Sequence, residues 1–529
     1  MRLSGTFGEL RSGHFHTGID IKSAKGMSGD PILAVDEGFV SRIKVGAGGY
    51  GNALYIDHPG GLTSVYAHLL AFTPHLDSLV RVYQHELRSF EIDISPLLPK
   101  VPIAKGQRIG TLGSTGHSMG PHLHFELRNT LTETPINPLL HFNIADEKAP
   151  VIRQVAIYHL DHNLQSYRKS DVRKQSDWII GDTIVVDAWR MGLGVDAIDP
   201  HNGHANKNGI YQVVLTLDGD TIFHSTLDSI PWDAGTFYPI FIDHAEALLR
   251  GRKVQKCFDS QAQSKAYHSQ LKDHGIIALY RDKTQKVMLT VTDFYGNDSR
   301  ASFWVRRAAE ITPVVYEPHH FLIEQGTPFR IDTGGLLAFF PAQALYERLR
   351  CKIKIEPKEG STLMHSRRYH LHSPSTPLRQ PIHISLRTHS IDAKLKDQAV
   401  VVDYTNPESP FAIKSKWQGH FLSSQVDHFG TFQVSIDTVQ PTISVLRKTV
   451  HPTLIKLGFR IVDDLTPPGD LSFEATIDGE WTLGTYDLKA RRVNYEIDRT
   501  KLADGEHLFE FAVTDISNNS KSYATRLNN

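Results

Sequence analysis

The sequence predicts an all-β protein: an N-terminal antiparallel β domain followed by three β-rich modules, with little helix. Three observations carry this expectation. Short runs rich in β-branched and aromatic residues recur along the chain, separated by turns of Gly, Pro, Asn and Asp. Helix signals are sparse. Two phrases that flank strands occur twice, as repeated modules would require.

In chain order, the first domain spans residues 1–148. Strand-like runs at Ile32–Val35, Phe39–Val45, Ala53–Ile56 and Thr63–Ala67 are punctuated by Asp36-Glu37-Gly38, by Gly46–Gly51 and by His58-Pro59-Gly60-Gly61. The segment Leu76–Phe90 reads as a short helix inserted among them. After a break near Ala149-Pro150, Val151–Tyr158 begins a strand and a module over 149–308. The phrase DEKAPVIRQV from Asp146 is echoed by DTVQPTISVL from Asp437, each an acidic residue and a proline before a strand. Likewise Val291–Asn297, VTDFYGN, is echoed by Val513–Asn519, VTDISNN. Each echo is a strand end and a Gly- or Asn-rich turn before a last strand, Ala301–Val305 or Ser522–Arg526. Such spacing suggests immunoglobulin-like β-sandwiches at 149–308 and 439–529. Between them lies a β-rich module over 309–438 that closes on Gly430–Asp437, although 340–400 shows no clean periodicity.

A chain of 529 residues exceeds one hydrophobic core and, at roughly 150 residues per domain, suits three or four. A net charge of -1 and a pI near 7.2 give no reason to expect nucleic acid or an anionic membrane as partner. Apolar runs such as Leu336–Phe340 fall short of the roughly 18 residues that span a bilayer, so no transmembrane segment is expected. Two cysteines, Cys257 and Cys351, exclude a disulfide scaffold and a multi-thiolate zinc site, and leave open whether they pair. The opening MRLSGTFGEL shows no signal peptide, so the protein is either cytoplasmic or carries a leader upstream. With 29 histidines in the chain, a lone His, or a pair such as His319-His320 or His201/His204, carries little weight.

The stretch Gly116–Leu127, GHSMGPHLHFEL, offers two chemistries. Gly116–Gly120 fits the G-x-S-x-G pattern of a serine nucleophile elbow, which requires a helix after the serine. Here Pro121 is followed by strict polar/apolar alternation, a strand entry, and no α/β rhythm surrounds it. Ser118 is therefore set aside as a nucleophile. The alternative is a metal. In a strand, His122 and His124 project to one face, and imidazole is a good zinc ligand. His16 and Asp20, four apart around Gly18, also share a face if extended, and Gly18 brings no side chain to crowd an ion. Tyr66-Ala67-His68-Leu69 ends a strand on a further histidine.

Together these pieces resemble the lysostaphin-type zinc metallopeptidases, the peptidoglycan endopeptidases of bacterial cell walls. The resemblance covers residues 5 to 140. It rests on the H-x-x-x-D of His16–Asp20, the Y-A-H-L of Tyr66–Leu69 and the glycine-rich run Lys105–Gly110 continued by Leu112–Gly116. The H-x-H of His122–His124 completes it, with Phe7-Gly8 and Arg11 as a fitting lead-in. A peptidase domain followed by β-sandwich modules looks like envelope members from Gram-negative bacteria. The resemblance implies one zinc ion held by His16, Asp20 and His124. It implies His122 as general base toward the attacking water, with His68 completing the catalytic pair and polarising the tetrahedral intermediate. His14 has no counterpart role.

The function implied is hydrolysis of peptide cross-links in peptidoglycan, with the peptide stems as substrate. Relatives of this fold that have lost ligands act as silent scaffolds or as activators of other wall hydrolases, and the full set of site residues argues for an enzyme. The three later modules show no motif that names a ligand and read as positioning elements, with an envelope protein as a possible partner. The substrate places the protein in the periplasm or cell envelope, which requires an export signal upstream of Met1. The insert Leu76–Ile103 is expected to set which bond is cut.

Overall fold

The structure, a computed structural model, describes residues 2–95, 100–202, 206–261, 268–356, 365–389 and 391–529. Strands account for 48% and helices for 9%, the all-β class that the turn spacing predicts. The chain clusters into two compact units. One comprises Met1–Lys22, Asp57–Val65 and Leu123–Pro318; the other comprises Ser23–Ile56, Tyr66–His122 and His319–Asn529.

In the first unit, Leu3–Gly5 and Ile19–Lys22 lie beside residues 123–129 and 62–65 of the strands His122–Asn129 and Leu62–Ala67, in that order. Leu3 faces Ile21 across an antiparallel pair whose register shifts before Gly5. Pro135–Ile136 folds back on Leu127 and Arg128. Residues 151–307 of this unit build two sheets over a shared core. Val151–Leu160 is central in one, flanked by Ser166–Asp171 and Arg190–Ile198. In the other, Gln285–Thr292 runs between Asp298–Arg307 and Gln212–Leu217. Alternate residues of both, including Val155, Leu193, Leu215, Leu289 and Phe303, are excluded from solvent, as the period of two requires. The edge strand Ile179–Val186 pairs parallel with Asp298–Arg307.

Two short helices, Ala234–Phe241 and His244–Arg250, interrupt this module at positions that carry no helix signal. Asp243 caps the second by accepting from the Glu246 amide, and Gly251 ends it in the left-handed region at φ 65°.

In the second unit the expected strands appear at Pro31–Leu33, Gly38–Val45 and Ala53–Asp57, and the expected helix at Pro74–Glu86. The helix begins two residues early because Pro74 supplies a preset φ at its first position. Part of the expected bond-selecting insert, residues 96–99, lies outside the described residues. Within residues 321–436, two five-stranded sheets and a two-stranded ribbon share a core that includes Phe340, Phe429 and Phe432. Residues 442–528 form two four-stranded sheets around Phe459, Phe509 and Phe511. Cys257 and Cys351 are both buried free thiols. No helix among the described residues is long and apolar enough to cross a membrane.

Candidate metal centre

Strand His122–Asn129 places its even-numbered residues on one face, and the loop ending in Ile19–Lys22 runs beside it. Three donor atoms converge there within the first unit. His16 Nε2 lies 2.9 Å from His124 Nδ1 and 3.1 Å from Asp20 Oδ1, and His124 Nδ1 lies 3.0 Å from the same oxygen. All three side chains are buried.

The outward nitrogens decide what these inner atoms are. His16 Nδ1 faces the Thr6 carbonyl at 2.8 Å, and a carbonyl can only accept, so Nδ1 carries the proton and Nε2 the lone pair. His124 Nε2 faces Glu126 Oε1 at 2.8 Å, which by the same reasoning leaves the lone pair on Nδ1. In the neutral rings two imidazole lone pairs and a carboxylate oxygen therefore point at one another, a place that a proton on His124 Nδ1 fills near pH 7 without metal. A cation between them resolves the repulsion. Donors about 2.1 Å from a tetrahedral zinc stand about 3.4 Å apart, a few tenths of an ångström beyond the edges observed, so this donor set fits zinc.

Electrostatics add detail. Burial pushes His16 down to about 4, leaving it neutral near pH 7. Burial also opposes the charge on His124, but its hydrogen bonds to Asp20 and Glu126 prevail and raise it to about 9, so metal binding must displace a proton there. Arg11 pairs with Asp20 Oδ2, leaving Oδ1 for the histidines and giving the lead-in arginine a purpose.

The sequence reading missed the layer behind the histidines. Glu126 accepts from Thr17 Oγ1 at 2.6 Å and from Arg128 Nε at 2.7 Å, and Arg128 is itself 2% exposed, with its guanidinium over the Trp232 ring at 4.9 Å. The signal was present: the alternation that picks out His122 and His124 continues through Glu126 to Arg128. Gly18 matters for another reason than the one expected. A Cβ there would overlap the Phe125 carbonyl, so the glycine permits close backbone approach rather than room at an ion.

His68 and His122 come together in the second unit, with ring centroids 4.9 Å apart. His68 is buried at a positive φ of 61°, a conformation that costs a residue with a Cβ and marks functional positions. Its Nδ1 lies 2.8 Å from the Thr115 carbonyl, and His122 Nδ1 lies 2.8 Å from the Gly120 carbonyl. Both rings are thereby held as Nδ1–H tautomers with the lone pair on Nε2. Ser118 Oγ donates to the Gly120 carbonyl at 2.7 Å and leads into a strand, so the turn Gly116–Gly120 positions His122 rather than presenting a nucleophile. His14 is exposed and stands outside the cluster.

Peptidase family M23 matches residues 14–85 and 73–138, and a Zu5-like domain matches residues 322–437. The DD-carboxypeptidase/endopeptidase Mpg of Neisseria meningitidis serogroup B is 35% identical over 143 residues, 26% of this chain and 26% of that protein. Lipoprotein NlpD of Yersinia enterocolitica is 32% identical over 114 residues, 22% of this chain and 91% of that protein. Murein hydrolase activator NlpD of Escherichia coli is 33% identical over 134 residues, 25% of this chain and 27% of that protein. The solved catalytic domain of the antimicrobial peptidase lysostaphin from Staphylococcus simulans is 24% identical. It covers 26% of this chain and 90% of that structure, with a TM-score of 0.19. The chain spans about a quarter of the length of the first curated relatives it matches.

Proposed function

This chain belongs to peptidase family M23 through its N-terminal domain, and on that premise we propose that it is a zinc endopeptidase cleaving peptide cross-links of bacterial peptidoglycan. The observation that carries the reading is the convergence of lone pairs on His16, Asp20 and His124, with both imidazole tautomers fixed from behind. A zinc ion held by these residues would supply a Lewis acid and lower the pKa of bound water to about 7.

The protein's own groups do the rest. Asp20 contributes the one negative charge and the two histidines none, which preserves the positive character of the site. His122, two positions before His124 on the same strand, takes the proton of the attacking water at Nε2 and returns it to the leaving amine. His68, once protonated at Nε2, donates to the oxygen of the tetrahedral intermediate while the Thr115 carbonyl holds its other nitrogen.

The curated relatives of E. coli and N. meningitidis bear names of an activator and of an endopeptidase, so both classes stand near this chain. An activator has no need of converging lone pairs or of a buried acid behind a ligand, and the complete donor set favours the enzyme. The substrate places the protein in the periplasm or cell envelope. The peptidase domain is taken as residues 1–148, followed by modules at 149–308, 309–438 and 439–529, with 149–308 and 439–529 immunoglobulin-like and the later modules available to an envelope partner.

Digestion of purified peptidoglycan by wild type and His124→Ala, each with and without a chelator, tests the proposal. New muropeptides are expected from the zinc-loaded wild type alone. Their absence there would sink it.

A further inference from the structure

The two sequence echoes bring together a second set of acids, outside the peptidase chemistry. Asp146 precedes the strand Val151–Leu160, Asp199 follows the strand Arg190–Ile198, and Asp293 follows the strand Gln285–Thr292. All three therefore come to one end of the module at 149–308. Ligand atoms of Asp146, Asp199 and His201 lie within 4.8 Å of one another. Asp146, Asp199 and Asp293 are 7%, 2% and 1% exposed.

Backbone amides pin one oxygen of Asp146, which accepts from Asn202 N at 2.9 Å. Its other oxygen, Oδ2, is buried without a hydrogen-bond partner and faces His201 Nε2 at 3.8 Å. Asp199 presents Oδ2 to His201 Nε2 at 3.0 Å and leaves its own Oδ1 buried and unpartnered. Among the described residues no Lys or Arg forms an ion pair with any of the three acids. Buried carboxylates without a compensating charge are costly, and one imidazolium against three carboxylates leaves the cluster negative. Burial together with the neighbouring acids raises Asp199 above the usual carboxylate range, even against the pull of His201.

The module at 439–529 repeats the layout. Asp437 precedes the strand Thr442–Val450, Asp463 follows the strand Leu454–Val462, and Asp515 follows the strand Glu506–Thr514. Asn519 bonds Asp515 Oδ2 at 2.8 Å and the Asp437 carbonyl at 3.0 Å. Asn297 bonds Asp293 Oδ2 at 2.7 Å and the Asp146 carbonyl at 3.2 Å. Asp463 Oδ2 is again a buried oxygen without a hydrogen-bond partner. No histidine belongs to this second cluster, so the feature common to both is oxygen.

We propose that Asp146 and Asp199, with Asp293 beside them, hold a hard divalent cation of the calcium class at the end of the module over 149–308. His201 serves as an outer partner: its Nε2–H is taken by Asp199, which leaves carboxylate oxygens to face the ion. Oxygen-only ligation selects calcium over zinc. The ion fixes the segment entering the first strand to the turn that closes the module, and so stiffens the junction after the peptidase domain.

The test counts calcium bound by the full chain after chelation and zinc reloading, by titration calorimetry on wild type, Asp199→Asn and His124→Ala. Wild type should bind calcium with a Kd of about 10⁻⁴–10⁻³ M, the range of extracellular modules. Asp199→Asn should bind one equivalent fewer, whether or not the cluster at Asp437 also fills. His124→Ala should lose none, which separates this site from the peptidase centre. Thermal melts guard against a misfolded variant: without calcium Asp199→Asn should melt at or above the wild-type temperature, since one repulsive charge is gone. With calcium only the wild type should gain the increment due to this site. Unchanged stoichiometry in Asp199→Asn, or uptake of zinc but not calcium at the wild-type cluster, overturns the proposal.

Discussion

Each ring nitrogen of His124 has a separate task, and Glu126 assigns them. Because Nε2–H donates to Glu126, Nδ1 is left facing His16 and Asp20. Changing Glu126 to Gln should weaken zinc binding about 10–100-fold, the usual cost of losing a partner behind a ligand. It should also destabilise the protein by about 1–3 kcal/mol, because the buried Arg128 then keeps only the half-exposed Glu133 at 3.1 Å as a carboxylate partner. The double variant Glu126→Gln/Arg128→Met separates the two effects: stability should recover while zinc affinity stays low, as read by dye competition and urea melts.

Proton linkage gives a second prediction at this scale, for the chelated protein. His16, at about 4 in the folded state, binds its proton more weakly than the unfolded chain does, so stability should fall as pH drops from about 6.5 towards 4. His124, at about 9, stabilises fully below 6.5, and its contribution should be lost as pH rises towards 9. Urea midpoints against pH should therefore peak near 6.5 without metal. Zinc should remove the alkaline loss, since it replaces the proton on His124. A midpoint flat from pH 4 to 9 after chelation would count against both assignments. At this scale the sequence was informative about the ligand positions because alternation and spacing are local. It was silent on Thr6, whose contribution is a carbonyl that any residue could supply.

At the level of elements, the metal loop is braced from a helix that sequence periodicity did not reveal. Phe15, next to His16, makes edge-on contacts with Tyr238 and Phe241 at centroid distances of 4.9 and 5.1 Å, and the Tyr238 hydroxyl donates to the Arg11 carbonyl. The helix Ala234–Phe241 holds Pro239 and three aromatic residues in eight positions, a poor helix by propensity that tertiary packing stabilises. That is why it was illegible, whereas strands such as Gly38–Val45, bounded by turns, were not. Phe241→Ala should cost about 3–5 kcal/mol and also weaken zinc binding, although residue 241 lies more than two hundred positions from His16. Zinc affinity unchanged in a folded Phe241→Ala protein would show that the brace does not reach the ligands.

On the scale of the whole chain, the last module contributes to the peptidase region within the second unit. Ala47 and Phe90 join the hydrophobic cluster of Phe459 and Tyr486, and His85 packs edge-on to Trp481 at 5.6 Å. Lys489 Nζ donates to the carbonyls of Ser114 and Ser118 at 2.7 and 2.8 Å. Those residues flank Thr115, whose carbonyl orients His68, and precede Gly120, whose carbonyl orients His122. A lysine in the polar hairpin Gly484–Arg491 carries no mark in the sequence, because its partners are backbone atoms some 370 positions away. Removing its charge should loosen the loop and let both imidazoles leave their fixed tautomers. Lys489→Met should therefore lower kcat on peptidoglycan fragments several-fold with little change in KM, and Lys489→Arg should restore most of it. Zinc content should stay at the wild-type level, since His16, Asp20 and His124 take no part in this contact. A loss of zinc in step with kcat would instead mean that Lys489 supports the metal loop, and an unchanged kcat would mean that the glycine-rich turn keeps its shape unaided.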